Sequence, residues 1–76
     1  MAKHKGDIEI GRRMALECYR IFGTAKNAAQ QLQCHKNSVY EWELGKVPGA
    51  SLLAKLHSCG GDVLYVLTGK REKIDG

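Results

Sequence analysis

The strongest constraint on this chain is its punctuation. Gly23, Gly45, Gly60, Gly61, Gly69 and the single proline, Pro48, interrupt each apolar pattern before it runs far. Glycine ends helices readily because it adopts left-handed backbone at no steric cost. Pro48 cannot sit inside a helix, and it pushes Val47 toward an extended conformation. Between these stops, apolar residues recur at helical spacing, and no period-two alternation of useful length appears. The expectation is an all-α fold of five helices around one core. In 76 residues there is room for one domain only, and 43% hydrophobic against 26% charged residues lets it fold without disulfides. A core this small gains from a helical bundle or from dimerisation.

The first helix is expected from Asp7, as its N-cap, to Gly23, with Ile10, Met14, Cys18, Ile21 and Phe22 on its apolar stripe. Arg12, Arg13 and Arg20 occupy its other faces. Thr24 caps a second helix that runs to about Leu32 and buries Ala28, Ala29 and Leu32. A short turn at Gln33 and Cys34 leads to a third helix, about residues 36–44, with Val39 and Trp42 inward. Lys46 to Gly49 is a loop. Leu52, Leu53, Leu56 and Cys59 mark a fourth helix. Asp62 caps a fifth, containing Val63, Leu64, Val66 and Leu67 and closed by Gly69. Residues 1–6, with Lys3, His4 and Lys5, read as a flexible basic arm, 7–69 as the domain, and 70–76 as a charged tail.

A formal net charge of +4 favours polyanions, nucleic acid before membrane headgroups. No apolar run approaches the roughly 20 residues that span a bilayer. Three cysteines, Cys18, Cys34 and Cys59, without paired spacing argue against a disulfide framework, and no secretory signal is present, so a reducing cytoplasm is expected. Cys34, His35, His57 and Cys59 invite a zinc reading. Their spacing fits no standard ligand pair, because adjacent Cys34 and His35 point apart at a helix start, and no metal or cofactor is expected. No nucleophile with a base and an orienting group can be assembled, and no phosphate-cradling glycine loop is present, so the chain is not expected to be an enzyme.

What remains is the stretch from Thr24 to Lys46: a helix of about eight residues, a tight turn, and a second helix with one apolar seam. The B-DNA major groove accepts one α-helix, and a preceding helix packed across the reading helix holds it against the groove. The crossing needs a small residue where the helices approach, which Ala29 provides. It also needs large apolar residues behind the reading helix, which Val39 and Trp42 provide. The outer face of the third helix is then His35, Lys36, Asn37, Tyr40 and Glu41, polar and rich in donors. Lys26 and Lys46 are placed to touch phosphates, which positions a protein without reading sequence. Lys3, His4 and Lys5 are candidates for an arm along the duplex.

The segment TAKNAAQQLQCHKNSVYEWELGK resembles the helix-turn-helix of Xre/Cro-like transcriptional regulators. VYEWELGKVPG is similar to that family's reading-helix end and loop, and GDVLYVLTG, Gly61 to Gly69, to a tail common among its phage members. The resemblance spans about residues 8–70 and implies a five-helix, lambda-repressor-like DNA-binding domain. It places base-reading positions on His35, Lys36, Asn37 and Glu41, with Ser38 and Tyr40 close enough for phosphate or a base edge. It places the phosphate-gripping start of the second helix at Thr24 and Ala25, and the loop's basic residue at Lys46.

The sequence departs from the family pattern in three places. Ala25 stands where glutamine is frequent, Gln33 where glycine is usual, and Glu17 where leucine is usual. The implied function is a dimeric repressor of phage or bacterial promoters. Two copies would bind a pseudo-palindromic double-stranded operator, with the region after the fourth helix as one candidate dimer contact. The alternative is an antitoxin whose main partner is a toxin protein and which regulates its own operon. Starting at Met1 and ending in a charged tail, the chain fits either a complete small regulator or the amino-terminal domain of a longer repressor.

Overall fold

The glycine stops anticipated above fall just past helix ends, and Pro48 lies in the loop between the third and fourth helices. The computed structural model describes residues 5–71, which form α1 (Lys5–Phe22), α2 (Ala25–Leu32), α3 (Lys36–Glu43), α4 (Ala50–Ser58) and α5 (Val63–Thr68). There is no strand among the described residues. Helix α1 is the spine and packs against α2, α3 and α5, while α4 lies against α2 and α5. The core is made by Met14, Ala15 and Cys18 of α1, Ala25, Ala28 and Leu32 of α2, Val39 and Trp42 of α3, Leu56 of α4 and Val66 of α5. No helix among the described residues is long and apolar enough to cross a membrane.

Local chemistry sets the helix ends. The Asn27 N–H donates to Thr24 Oγ1 at 3.1 Å, and the Tyr65 N–H donates to Asp62 Oδ1 at 2.9 Å. Each such cap is typically worth about 1 kcal/mol. Asp7 does not cap α1. The helix starts at Lys5, and Asp7 lies in its first turn, where its charge still opposes the positive end of the helix dipole. Lys5 and Gly6, expected in the arm, are therefore helical, and Lys3 and His4 lie outside the described residues. Cys59, expected on the buried stripe of the fourth helix, is exposed at the α4 C-cap. On α5, Val66 is buried, but Leu64 and Leu67 face solvent.

The connection between α2 and α3 is three residues long and turns on Gln33, whose backbone is left-handed (φ 58°, ψ 46°). This bend lets the Cys34 N–H reach back to the Ala29 carbonyl at 2.9 Å and close the end of α2. A side chain in that conformation costs on the order of 1 kcal/mol. At the far end of α3, Gly45 (φ 103°) plays the same part. The Lys46 N–H donates to the Glu41 carbonyl at 3.0 Å and the Gly45 N–H to the Trp42 carbonyl at 2.9 Å. The start of α1 presses against this end. A Cβ on Gly11 would run into the carbonyl oxygens of Lys46 and Trp42, so the close approach of α1 and α3 requires glycine there.

Glu17 is fully buried yet belongs to the spine's inner stripe. Both of its oxygens are held. Arg20 Nε donates to Oε1 at 2.9 Å and Arg20 Nη2 to Oε2 at 2.5 Å. Arg71 Nη2 donates to Oε1 at 2.7 Å, and the Asp62 backbone N–H donates to Oε2, also at 2.7 Å. Arg71 also reaches Asp62 Oδ2 at 3.2 Å and lies 3.9 Å from the centre of the Tyr65 ring. The Arg20 hydrogen bonds, helped by those of Arg71 and the Asp62 N–H, outweigh burial and hold the Glu17 carboxyl down at about 2. The charged tail expected at 70–76 thus begins with a residue tied into the fold; residues 72–76 lie outside the described part. Arg13 makes a second clamp between α1 and the end of α5, with Nε donating to the Val66 carbonyl at 2.9 Å.

Candidate nucleic-acid interface

Helix α3 contacts both α1 and α2 through one seam, with Val39 fully buried and Trp42 nearly so. A seam at i and i+3 leaves the opposite side of an eight-residue helix to solvent. Lys36, Asn37, Tyr40 and Glu41 are exposed there, and Leu44, the C-cap, continues the stripe at 77% exposure. Ser38 is half-buried on the flank. Four of the six side chains anticipated on the reading helix therefore share one open face, His35 stands at its start, and Ser38 sits beside it. Leu44 was not anticipated. The signal was available, since residues 36, 37, 40, 41 and 44 fall on one side of a helix whose other side holds residues 39 and 42.

His35 has a second role. Its Nδ1 accepts the Asn37 N–H at 3.2 Å and caps α3. A ring that accepts at Nδ1 carries its proton on Nε2 when neutral, so Nε2 is the edge that can donate to a base or phosphate. Glu41 Oε2 lies 3.5 Å from Lys46 Nζ, and both side chains are at least half exposed. A pair so exposed contributes at most about 1 kcal/mol. It does place the loop lysine beside the α3 stripe and offsets the carboxylate's charge where phosphates would otherwise be repelled.

At the start of α2, Thr24 and Lys26 are exposed. The Thr24 side chain satisfies the Asn27 N–H, and the Ala25 and Lys26 N–H groups have no acceptor among the described residues. Free amides at a helix N-terminus favour an anion. Ala25 itself is 6% exposed and part of the core, so its side chain cannot reach a phosphate; only its backbone can. The position usually occupied by glutamine in the resembled family thus packs inward here. Asn27 is also engaged, its Nδ2 donating to the Phe22 carbonyl at 3.4 Å, which ties the end of α1 to the start of α2.

Lys5, the one basic arm residue in the described part, begins α1 one turn before Ile8. Ile8 packs against Gly45, next to Lys46, so the start of α1 adjoins the loop after α3. The Lys5 and Lys46 charges therefore belong to the same end of the molecule. No three His, Cys, Asp or Glu side chains gather into a metal-holding group among the described residues. Comparisons of the chain with family models, with curated proteins and with solved structures found no match.

Proposed function

We propose that this protein is a sequence-specific double-stranded DNA-binding regulator that enters the major groove with α3, in the manner of the Xre/Cro-like helix-turn-helix family, and acts as a homodimeric repressor. The observation that carries this reading is α3 itself. It is a short helix braced from behind by Val39 and Trp42, presenting Lys36, Asn37, Tyr40 and Glu41 on one open face. In this reading Lys36 donates to guanine O6 and N7, Asn37 bridges adenine N6 and N7, Glu41 accepts from cytosine N4, and His35 offers Nε2. Leu44 and Tyr40 provide apolar surface for a thymine methyl. Thr24, Lys26, Ser38 and Lys46 grip phosphates on either side. Two copies place their reading helices about 34 Å apart in successive grooves, and occupancy alone blocks a promoter.

The test is in vitro selection from a random duplex pool, followed by titration of the selected site. Lys36→Ala and Asn37→Ala should each lose about 1–3 kcal/mol of discrimination, a factor of roughly 5 to 150, at the base they read. Lys46→Ala should weaken selected and random duplexes alike and flatten the salt dependence by about one unit of log–log slope. Equal affinity for selected and random DNA, or a selected sequence unchanged by both α3 variants, would refute the proposal.

A further inference from the structure

The chain folds back over α5 as soon as the helix ends. Gly69 takes a left-handed turn (φ 78°) with its N–H on the Tyr65 carbonyl at 2.7 Å, and the Lys70 N–H donates to Thr68 Oγ1 at 3.1 Å. This reversal carries Arg71 back to the first turn of the helix. There it reaches Asp62 Oδ2 at 3.2 Å, lies 3.9 Å from the centre of the Tyr65 ring, and donates to Glu17 Oε1 on α1 at 2.7 Å. Arg13 lies against the reversal itself. A Cβ on Gly69 would stand 3.3 Å from Arg13 Nη1, while Arg13 donates to the Val66 carbonyl at 2.9 Å and to the Leu67 carbonyl at 3.4 Å. Charged side chains of α1 therefore hold both ends of α5. Glu17 accepts the Asp62 N–H at its start, and Arg13 takes the carbonyls at its end.

The apolar grip on α5 is small by comparison. The helix has six residues, too few to be stable alone, and Val66 is its one fully buried side chain, while Leu64 and Leu67 face solvent. We propose that residues 62–71, α5 with the strap that follows it, form a latched flap that opens from α1 as one unit while α1, α2 and α3 stay folded, and that the contact of Arg71 with Glu17 is the latch. Helices α1, α2 and α3 pack directly on one another, so their mutual contacts do not need α5. A segment with few buried apolar contacts opens at lower free energy than the core it lies on. Glu17 sets the strength of the latch. With the flap closed, its fully buried carboxylate accepts four hydrogen bonds, from Arg20, Arg71 and the Asp62 N–H. Without Arg71 a charge stays inside the fold with less to balance it, and opening relieves that cost by admitting water. Opening also releases Val63, Leu64, Tyr65, Val66 and Leu67 together, because clamps at both ends tie the helix down as a whole. The inference rests on packing and hydrogen bonding alone and holds whatever α3 binds.

Amide hydrogen exchange of the full chain, followed by NMR at neutral pH in urea concentrations below unfolding, tests the proposal, with circular dichroism to show that each variant is folded. The reporters are the N–H groups of Asp62, Tyr65, Val66 and Gly69, each hydrogen-bonded when the flap is closed. In the wild type the four should share one opening free energy, lower than that of the buried amides of α1 and α3 and less sensitive to urea. Arg71→Ala should speed exchange at all four by about tenfold, the scale of a charged hydrogen bond discounted for a half-exposed arginine. Arg71→Lys, which keeps the charge and loses the fork, should speed it by less. Arg13→Ala, at the other end of α5, should act on the same four amides. Three results would overturn the proposal. One is exchange of the four only together with α1 and α3, at the same free energy and urea dependence. The second is an Arg71→Ala effect confined to Asp62 and Tyr65, which would mean fraying at one end. The third is exchange unchanged by Arg71→Ala.

Discussion

Replacing Glu17 by glutamine removes one negative charge from a site where both oxygens are already engaged by two arginines and a backbone amide. Lowering a buried carboxyl from 4.5 in the unfolded chain to about 2 in the fold corresponds to about 3 kcal/mol of stability. The arginine side chains stand 53% and 43% exposed, so solvent screens part of their field, and about 2 kcal/mol is the firmer expectation. For a domain of this size that lowers the melting temperature by roughly 8–16 °C. The sign fixes the pH window. The folded value lies below the unfolded one, so the contribution is complete above about 4.5 and is lost as pH falls toward 2. Urea titrations read by the single tryptophan, Trp42, which is buried, should show wild type and Glu17→Gln furthest apart at neutral pH and converging as the solution is acidified. The other carboxylates are common to both proteins and cancel. A gap below about 0.5 kcal/mol at neutral pH, within the range of an ordinary surface substitution, would refute the reasoning. So would a gap that persists unchanged in acid.

Two further substitutions probe the backbone. Gln33→Gly relieves left-handed strain of about 1 kcal/mol but adds freedom to the unfolded chain, so stability in urea should rise by a few tenths to about 1 kcal/mol; a loss would mean that the glutamine side chain contributes more than its conformation costs. Gly11→Ala drives a methyl into two backbone carbonyls that cannot rotate away, and it should destabilise by about 3 kcal/mol and, on the proposed function, weaken binding to the selected duplex through displacement of the Lys46 loop; wild-type stability would show that α1 and α3 do not meet this closely.

What was legible in the sequence was whatever depends on neighbours along the chain. Thr24 and Asp62 cap because their oxygens reach an N–H three residues on. Gly45 and Gly69 stop helices through their own φ angles. The α3 stripe was legible for the same reason: once Val39 and Trp42 point inward, the helical repeat decides which residues are left outside, and Leu44 was overlooked only because its character is apolar. What was not legible depends on distant partners. Glu17 stands where the resembled family usually has leucine; Arg20, three residues on, is its main partner, but the rest of its explanation lies 54 residues away in Arg71, within a stretch that reads as a solvated tail. Gly11 looks like a weak helix former until the carbonyls of Trp42 and Lys46 arrive beside it. Both cases concern α1, the longest helix and one that touches three others, and that is physically reasonable. A residue on the spine answers to contacts that close late in the sequence, so its identity records tertiary demands that local periodicity cannot express.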